Sequence, residues 1–379
     1  MPRVKQPASV IAVENAFGRS CRGLDPLRPG ARLLLACSAG GDSMTLLDLA
    51  ARRAGRARWE LAVLHVDHRQ RAESTDEARF VMEQVEGYGL ECFVERLPDD
   101  LVAASPLSEE VMREARLERL RAVAKHWDAR AVLLAHQADD RAETFLIRLL
   151  AGSGPTGLAS IRAVERFGGL TLVRPLLGGR RGQMREYLRA RGIDWREDPT
   201  NLDQAGKRAW VRHTVLPLMR EKIGLDPTER IAGAAALIEE EATVLTEAAR
   251  ILLGRMRCEP PQPAGDRLDL SHPCWTEAGP LLRRQLLRQW LWDMRRRPHP
   301  PGMRTVNEAL AFVEQARPGA ELRTIERIHV VHCKDSLLAF GPEVDPPARH
   351  AAAAPYLRRP PSQKKRGQAK SRTAKSRGG

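Results

Sequence analysis

A short turn at positions 38–43 carries the residue types that bind a phosphate. It consists of Ser38, Ala39, Gly40, Gly41, Asp42 and Ser43, and it follows an apolar run at 33–37 that predicts a buried strand. Gly40 and Gly41 permit positive φ angles and close approach of a ligand, and a helix opening at Asp42 or Ser43 offers unpaired N–H groups. The serine hydroxyls can donate to an anion, and the Asp42 carboxylate can hold a phosphate-bound metal ion. We therefore predict a phosphate-binding loop; the alternative is a corner in which small residues serve packing.

A histidine and three carboxylates form a second cluster, made of His136, Asp139, Asp140 and Glu143. The histidine closes an apolar run at 131–136, and the acids lie in the first turns of a predicted helix over 138–150. Their i, i+3 and i, i+4 spacing puts them on one helix face. Carboxylates beside a phosphate loop can hold magnesium or receive a cationic amine. The alternative is a solvated helix start in which the acids complement the helix dipole.

The elements that position both clusters alternate between strands and helices. Apolar runs at 33–37, 60–68, 91–97 and 131–136 predict strands, each followed by a segment with helical spacing. Such alternation predicts an α/β fold with a doubly wound parallel sheet that is covered by helices on both faces. Ligands bind at the carboxyl ends of the strands in these sheets. The polar residues that end the predicted strands are Ser38, Asp67, His68 and His136.

The turn at 38–43 resembles the PP-loop of the N-type ATP pyrophosphatases, Ser-Gly-Gly-x-Asp-Ser, with Ala39 at the second position. The resemblance implies an adenine nucleotide alpha hydrolase-like fold that binds ATP and transfers AMP to an oxygen of the substrate. Asp42 would bind Mg²⁺, and the extra methyl group of Ala39 could restrict the turn. The pyrophosphate part of ATP would be held by Ser38, Gly40, Gly41 and Ser43.

Further segments resemble the tRNA(Ile)-lysidine synthetases in the same order along the chain. Residues 136–144 are similar to that family's His-x-x-Asp-Asp-Gln-x-Glu-Thr signature, with Arg141 in place of glutamine. Two further segments are similar to patterns of the same family. Segment 149–161 has Ala151 where the family has an arginine, and segment 207–217 has Ala209 where the family has an asparagine. Other similar segments lie at 66–74, 108–120, 173–177 and 197–201. The matching positions are Arg71, Glu73, Ser74, Glu109, Arg113, Arg116, Arg208, Arg212 and His213.

This second resemblance implies a two-step ligase that acts on tRNA(Ile) with a CAU anticodon. ATP adenylates the C2 oxygen of the wobble cytidine, and the ε-amine of free lysine then displaces AMP to form lysidine. Asp139, Asp140 or Glu143 would orient the lysine ammonium, with Glu143 our choice, and His136 would lie beside the reacting centre. Arg141 would weaken amine binding if it pointed inward. The resemblance implies that four arginines contact the substrate: Arg71, Arg113, Arg208 and Arg212. For the last three, the alternative is that each forms a structural ion pair instead.

Composition divides the chain into three parts. We predict a catalytic domain at 1–215, a mainly helical tRNA-binding domain at 216–345 that ends in a small hairpin, and a disordered basic tail at 346–379. The tail holds ten Lys or Arg and no acid, against a net charge of +14 for the chain. It could strengthen binding to a polyanion or merely aid solubility. Trp290 and Trp292 could stack RNA bases, but their helical spacing favours the core.

Composition also limits the classes of function. No apolar run reaches the roughly 20 residues of a membrane span, and the first residues do not resemble a secretory signal. The six cysteines are scattered without a Cys-x-x-Cys pair, which indicates a cytoplasmic protein and argues against a tRNA-thiolating relative. A non-catalytic RNA-binding protein on a degenerate PP-loop scaffold is the other alternative, because four positions depart from the family patterns. The sequence leaves the formation of a homodimer open.

Overall fold

The computed structural model describes most of the chain, in ranges 7–67, 74–97, 109–159, 161–167, 169–197, 206–258, 265–294, 301–324 and 328–340. The predictions for His68, Arg71, Glu73 and the tail at 346–379 lie outside these residues. The same is true of the side chains of Ser74 and Glu109.

A six-stranded sheet forms the centre of the first of two compact units. Its strands are β1 (Arg32–Ala36), β2 (Glu60–Asp67), β3 (Glu91–Arg96), β4 (Ala131–Leu133), β5 (Val164–Phe167) and β6 (Leu170–Val173). They lie in the order β3-β2-β1-β4-β6-β5, and every neighbouring pair except β5 and β6 is parallel. The predicted doubly wound parallel fold is confirmed. The strand order reverses between β1 and β4, which is where such sheets bind ligands.

Helices cover both faces of this sheet. The helices that begin in the first unit are α1 (Ala8–Ser20), α2 (Gly41–Ala57), α3 (Ser74–Gly87), α4 (Glu109–His126), α5 (Ala138–Leu150), α6 (Pro155–Leu158), α7 (Arg181–Arg191), α8 (Lys207–Trp210), α9 (Leu216–Ile223) and α10 (Pro227–Met256). Leu33 and Leu35 of β1 belong to a core that includes residues of α2 and α7, whereas Leu34 belongs to a second core that includes residues of α4. Successive strand residues point to opposite faces, so β1 is apolar throughout because both of its faces are buried.

A π-helical turn, Val211–Val215, joins α8 to α9 without a break. Val211 and Leu216 lie five residues apart and are both buried. In a regular α-helix these positions would face different directions, because successive residues are about 100° apart. The wider turn therefore brings two apolar side chains to one side, a feature that the apolar spacing of the sequence does not predict.

The boundary between the two compact units lies between Glu247 and Ala248, inside α10. Residues 216–247, which the change of composition assigned to the second domain, belong to the first unit. Two ion pairs fix them there, Arg180 with Asp226 at 2.6 Å and Arg141 with Glu239 at 2.8 Å.

The second unit contains a five-stranded antiparallel sheet in the order β7-β8-β11-β10-β9. The strands are β7 (Arg257–Cys258), β8 (Asp266–Asp269), β9 (Glu321–Arg323), β10 (His329–His332) and β11 (Ser336–Phe340), and the helices are α11 (Pro273–Thr276), α12 (Pro280–Asp293) and α13 (Met303–Gln315). The expected hairpin is β10 with β11, and it is part of this larger sheet. Trp290 is fully buried, as its spacing predicts, and Trp292 is partly buried. In the described part of the chain, no helix is long and apolar enough to cross a membrane.

Candidate active site

The phosphate loop joins β1 to α2, and its own backbone orients its hydroxyl groups. Ser43 Oγ donates to the carbonyl oxygens of Ser38 and, at 2.8 Å, of Gly40. The Ser38 and Ser43 hydroxyls lie 3.2 Å apart, and the Gly40 N–H donates to Ser38 Oγ at 3.4 Å. Because α2 begins at Gly41, the loop ends at N–H groups that have no acceptor within the helix. This arrangement provides the donors that an anion site requires.

Neither glycine of the loop adopts the positive φ angle that this residue permits. Gly40 precedes α2 with a φ of −71°, and Gly41 is its first residue. A Cβ atom at Gly41 would meet the Trp195 ring at 3.4 Å, which is ordinary contact distance. The turn therefore does not use the left-handed conformation that glycine permits.

Ala39 packs away from the loop. Its side chain is only 2% exposed and belongs to the core between the sheet and α2, while its carbonyl accepts from the Arg196 N–H at 2.9 Å. The methyl group therefore occupies core space. The departure from the PP-loop pattern at this position does not narrow the loop.

Arg181, the first residue of α7, links the phosphate loop to the second cluster. Its guanidinium lies 3.1 Å from Asp140, 3.6 Å from Glu143 and 3.7 Å from Asp42. The structure thus brings together carboxylates that are far apart in the sequence. They surround one cationic group at the carboxyl edge of β1 and β4.

Asp139 has its hydrogen bonds supplied by the start of α7. Arg180 donates to it from Nε at 3.2 Å and Nη2 at 3.0 Å, and the Arg181 N–H donates at 2.9 Å. Burial opposes ionisation of Asp139, but these hydrogen bonds outweigh it and hold its pKa below the usual range. Asp139 therefore anchors α7 to α5.

The two carboxylate oxygens of Asp140 have different partners, one at the start of α5 and one in Arg181. Gln137 caps α5: its Oε1 accepts from the Asp139 N–H at 2.6 Å, and its own N–H donates to Asp140 Oδ2 at 3.1 Å. The other oxygen of Asp140 contacts Arg181. Burial raises the pKa of Asp140 although Arg181 opposes the shift, and the nearby Glu143 charge adds to it. Additional positive charge beside Asp140 would therefore be favourable.

Glu143 is the most deeply buried acid of the cluster, with 1% of its side chain exposed. Arg212 binds both of its oxygens, with Nε at 2.7 Å and Nη2 at 3.0 Å. Arg208 lies 3.5 Å from Glu143 and donates to the Thr144 hydroxyl at 2.9 Å. Both arginines come from the helix that contains the π-helical turn. They therefore form the ion pairs that the sequence left open as an alternative to substrate contacts.

His136 follows β4 and accepts a hydrogen bond at Nδ1 from Arg174 Nε at 3.1 Å. Burial lowers the pKa of His136 well below its usual value, and the charges of Arg174, Arg113 and Arg208 lower it further. The ring is therefore neutral at physiological pH.

Arg141 points away from the acid cluster. It donates to the Ile161 carbonyl from Nε at 3.1 Å and from Nη2 at 2.9 Å, and it pairs with Glu239. Glu239 also accepts from the Ala163 N–H at 2.9 Å. Arg141, which stands where the family pattern has glutamine, therefore adds no charge to the acid cluster and instead binds Glu239 of α10.

Sequence reasoning missed three arginines of this site: Arg174, Arg180 and Arg181. Arg174 belongs to segment 173–177, which matched a family pattern but received no role. The other two follow a few residues later as a basic pair between glycines. That spacing was the available signal, but their partners Asp139 and Asp140 lie 41 residues earlier in the chain and are reached only through the fold.

Asp42 has the features of a ligand for a phosphate-bound cation. Burial raises its pKa to about 6, because Arg181 offsets only part of the burial and Asp140 adds negative charge. Its Oδ1 is buried, and no hydrogen-bond donor among the described residues reaches it. Mg²⁺ bound to substrate phosphates uses only one or two protein carboxylates, so Asp42 fits this ion. Within the described ranges, no group of three or more His, Cys, Asp or Glu is arranged to hold a metal.

A parallel sheet with this loop at its switch point defines a PP-loop protein, and sequence comparison agrees. The family model described as "PP-loop domain" matches residues 13–219. A U34-tRNA thiolase from Methanococcus maripaludis, solved with a [4Fe-4S] cluster, shares the fold with a TM-score of 0.50 at 16% identity, over 63% of this chain and 79% of that one.

Three relatives that share a single name define the family further. The tRNA(Ile)-lysidine synthase of Thermus thermophilus is 38% identical over 78% of this chain and 55% of its own. Those of Vibrio cholerae and Synechococcus are 32% and 34% identical, over 88% and 77% of this chain and 73% and 84% of theirs. The chain therefore belongs to the tRNA(Ile)-lysidine synthase family. It spans about half the length of the Thermus relative.

Proposed function

We propose that this protein uses ATP to ligate lysine to C2 of the wobble cytidine in the CAU anticodon of tRNA(Ile). The proposal rests on one observation: Arg181 contacts both Asp42 of the phosphate loop and Asp140 of the carboxylate cluster. The first element suits cleavage of a phosphoanhydride, and the second suits a cationic amine. The three relatives support the choice of RNA and amino acid.

In the first step, the C2 oxygen of the cytidine attacks the α-phosphorus of ATP, and the bond to the β-phosphate oxygen breaks. The hydroxyls of Ser38 and Ser43 and the N–H groups at the start of α2 bind the departing pyrophosphate. Asp42 would hold Mg²⁺, and the ion would supply positive charge that offsets the charge on the leaving group. The chain's own donors do the positioning, and no covalent intermediate with the protein is needed.

In the second step, the lysine ε-ammonium loses a proton to solvent, the resulting neutral amine attacks C2, and the C2–O bond breaks to release AMP. The sequence pointed to Glu143 as the carboxylate for the incoming ammonium. Since both oxygens of Glu143 are bound by Arg212, we propose that Asp140 contacts the amine and that Glu143 supports it by fixing the arginines. Asp140 is the better candidate because only one guanidinium contacts its site-facing oxygen.

We further propose that residues from 216 onward and the basic tail grip the tRNA outside the reacting nucleotide. The support is the tail's charge of ten Lys or Arg without an acid. A cytoplasmic location follows from this substrate.

The test is incubation of the purified chain with ATP, Mg²⁺, labelled lysine and a tRNA(Ile) transcript carrying CAU. We expect labelled lysine to be retained on this RNA, and we expect no retention on a transcript in which the wobble cytidine is replaced. Pyrophosphate release that depends on RNA without lysine retention would indicate another nucleophile, such as sulfur. Absence of both signals would favour a non-catalytic RNA-binding protein.

A further inference from the structure

A buried guanidinium lies directly behind His136. Arg174 follows the last residue of β6, and its side chain is only 2% exposed. Each part of the guanidinium has a partner: Nε donates to His136 Nδ1 at 3.1 Å, Nη1 to the Arg162 carbonyl at 2.8 Å, and Nη2 to Glu165 at 2.7 Å. With these contacts the planar group is fixed in direction as well as in position.

This contact dictates where the imidazole carries its proton. A guanidinium has donors and no acceptor, so the nitrogen that faces it must offer a lone pair. His136 Nδ1 therefore carries no proton, and in a neutral ring the proton is on Nε2. A second proton on Nδ1 would point at the Arg174 N–H group, and the surrounding arginines already disfavour a charged ring.

The position of His136 relative to the phosphate loop follows from the strand register. Leu35 of β1 pairs with Leu133 of β4. Ser38 and His136 each lie three residues beyond this pair. The two residues therefore leave the sheet at the same level of its carboxyl edge, on neighbouring strands at the switch point.

We infer that Arg174 is a positioning residue that holds His136 as a neutral Nε2–H donor for an oxygen of the α-phosphate. This inference rests on the proposed function. A donor fixed beforehand stabilises negative charge that develops in the transition state and does not have to reorient. Because the ring neither takes nor gives a proton, His136 is an electrostatic group and not a general base.

Nitrogen-15 NMR of protein labelled at histidine tests the tautomer without any substrate. His136 is assigned as the signal that disappears in His136→Gln. In the wild type we expect its Nδ1 to be unprotonated and its Nε2 to be protonated. In Arg174→Met we expect a mixture of the two tautomers, whereas Glu165→Gln, which loses the ion pair but keeps the Arg174 donor, should retain the wild-type pattern.

A kinetic cycle tests whether Arg174 acts through His136. Arg174→Met should lower kcat for RNA-dependent pyrophosphate release on the order of 10- to 100-fold, the range for partners that fix a histidine, with little change in KM for ATP. In a His136→Gln background, whose amide N–H replaces Nε2–H, Arg174→Met should lower kcat by less than about threefold.

Opposite results would overturn the inference. A protonated Nδ1 in the wild type would exclude the tautomer, and an equal loss from Arg174→Met in both backgrounds would show that Arg174 acts by stability alone. Failure of the proposed function is distinguishable from both, because it would remove pyrophosphate release from the wild type while leaving the NMR result unaffected.

Discussion

Replacing Asp42 with asparagine should stabilise the unliganded protein at neutral pH. The carboxyl titrates at about 6 when folded, against 3.8 for its ordinary value, and its side chain is only 24% exposed. Because the folded state binds this proton more tightly, stability falls as pH rises from about 4 to 6, and the loss is complete above that window. A shift of about two pKa units corresponds to about 3 kcal/mol. Asparagine carries no charge and removes this cost above pH 6, but not below pH 4.

Thermal unfolding of wild type and Asp42→Asn at about pH 7.5 and about pH 4 measures the effect. For a unit of this size, about 3 kcal/mol corresponds to a rise in Tm of about 6–12 °C. The rise should be confined to the higher pH, and Mg²⁺ with ATP should stabilise the wild type far more than the variant. Asp76→Asn is the matched control, since that side chain is 76% exposed and should not shift Tm. An equal rise at both pH values, or a lower Tm for Asp42→Asn, would refute the reasoning.

Three further predictions concern the amine site, the α10 contact and the tail. Asp140→Asn should raise KM for lysine about 10- to 100-fold and leave KM for ATP nearly unchanged. Glu143→Gln should raise KM for lysine by less. If steady-state kinetics show the same lysine dependence in Asp140→Asn as in the wild type, the assignment of Asp140 is wrong. Arg141→Met should destabilise the first unit by about 3–5 kcal/mol in denaturant unfolding, because Glu239 loses its partner, while Arg141→Met with Glu239→Leu recovers most of the loss. KM for lysine should not change in Arg141→Met, and a change would mean that Arg141 faces the site. Deleting 346–379 should flatten the salt dependence of tRNA affinity, and an unchanged slope would show that the tail does not contact RNA.

The parts of the site that the sequence predicts are those whose geometry is local. The phosphate loop needs only a strand, a small-residue turn and a helix start, all within a few positions. The acid cluster needs only the helical spacing of Asp139, Asp140 and Glu143. The direction of Arg141 was not predictable in this way, because its partners Ile161 and Glu239 come from later elements.

The unpredicted parts depend on long-range packing or on very short elements. Arg181 meets Asp140 and Asp42 only because the chain returns from β6 to the switch point before α7 begins. In the second unit, β7 has two residues and β9 three, which is too few for an alternating pattern. Those strands are formed by pairing with neighbours and not by their own residue preferences.

The π-helical turn at Val211–Val215 bears on how relatives of this chain can vary in length. One fewer residue there would leave a continuous helix, since a π-helical turn is an α-helix with one residue inserted. The parts of the helix before and after the turn would then rotate about 100° relative to each other. Leu216 could then stay buried only if Arg212 turned away from Glu143. A gap at this point in an alignment would therefore mark a protein that has kept the fold but rebuilt the arginine contacts of its acid cluster.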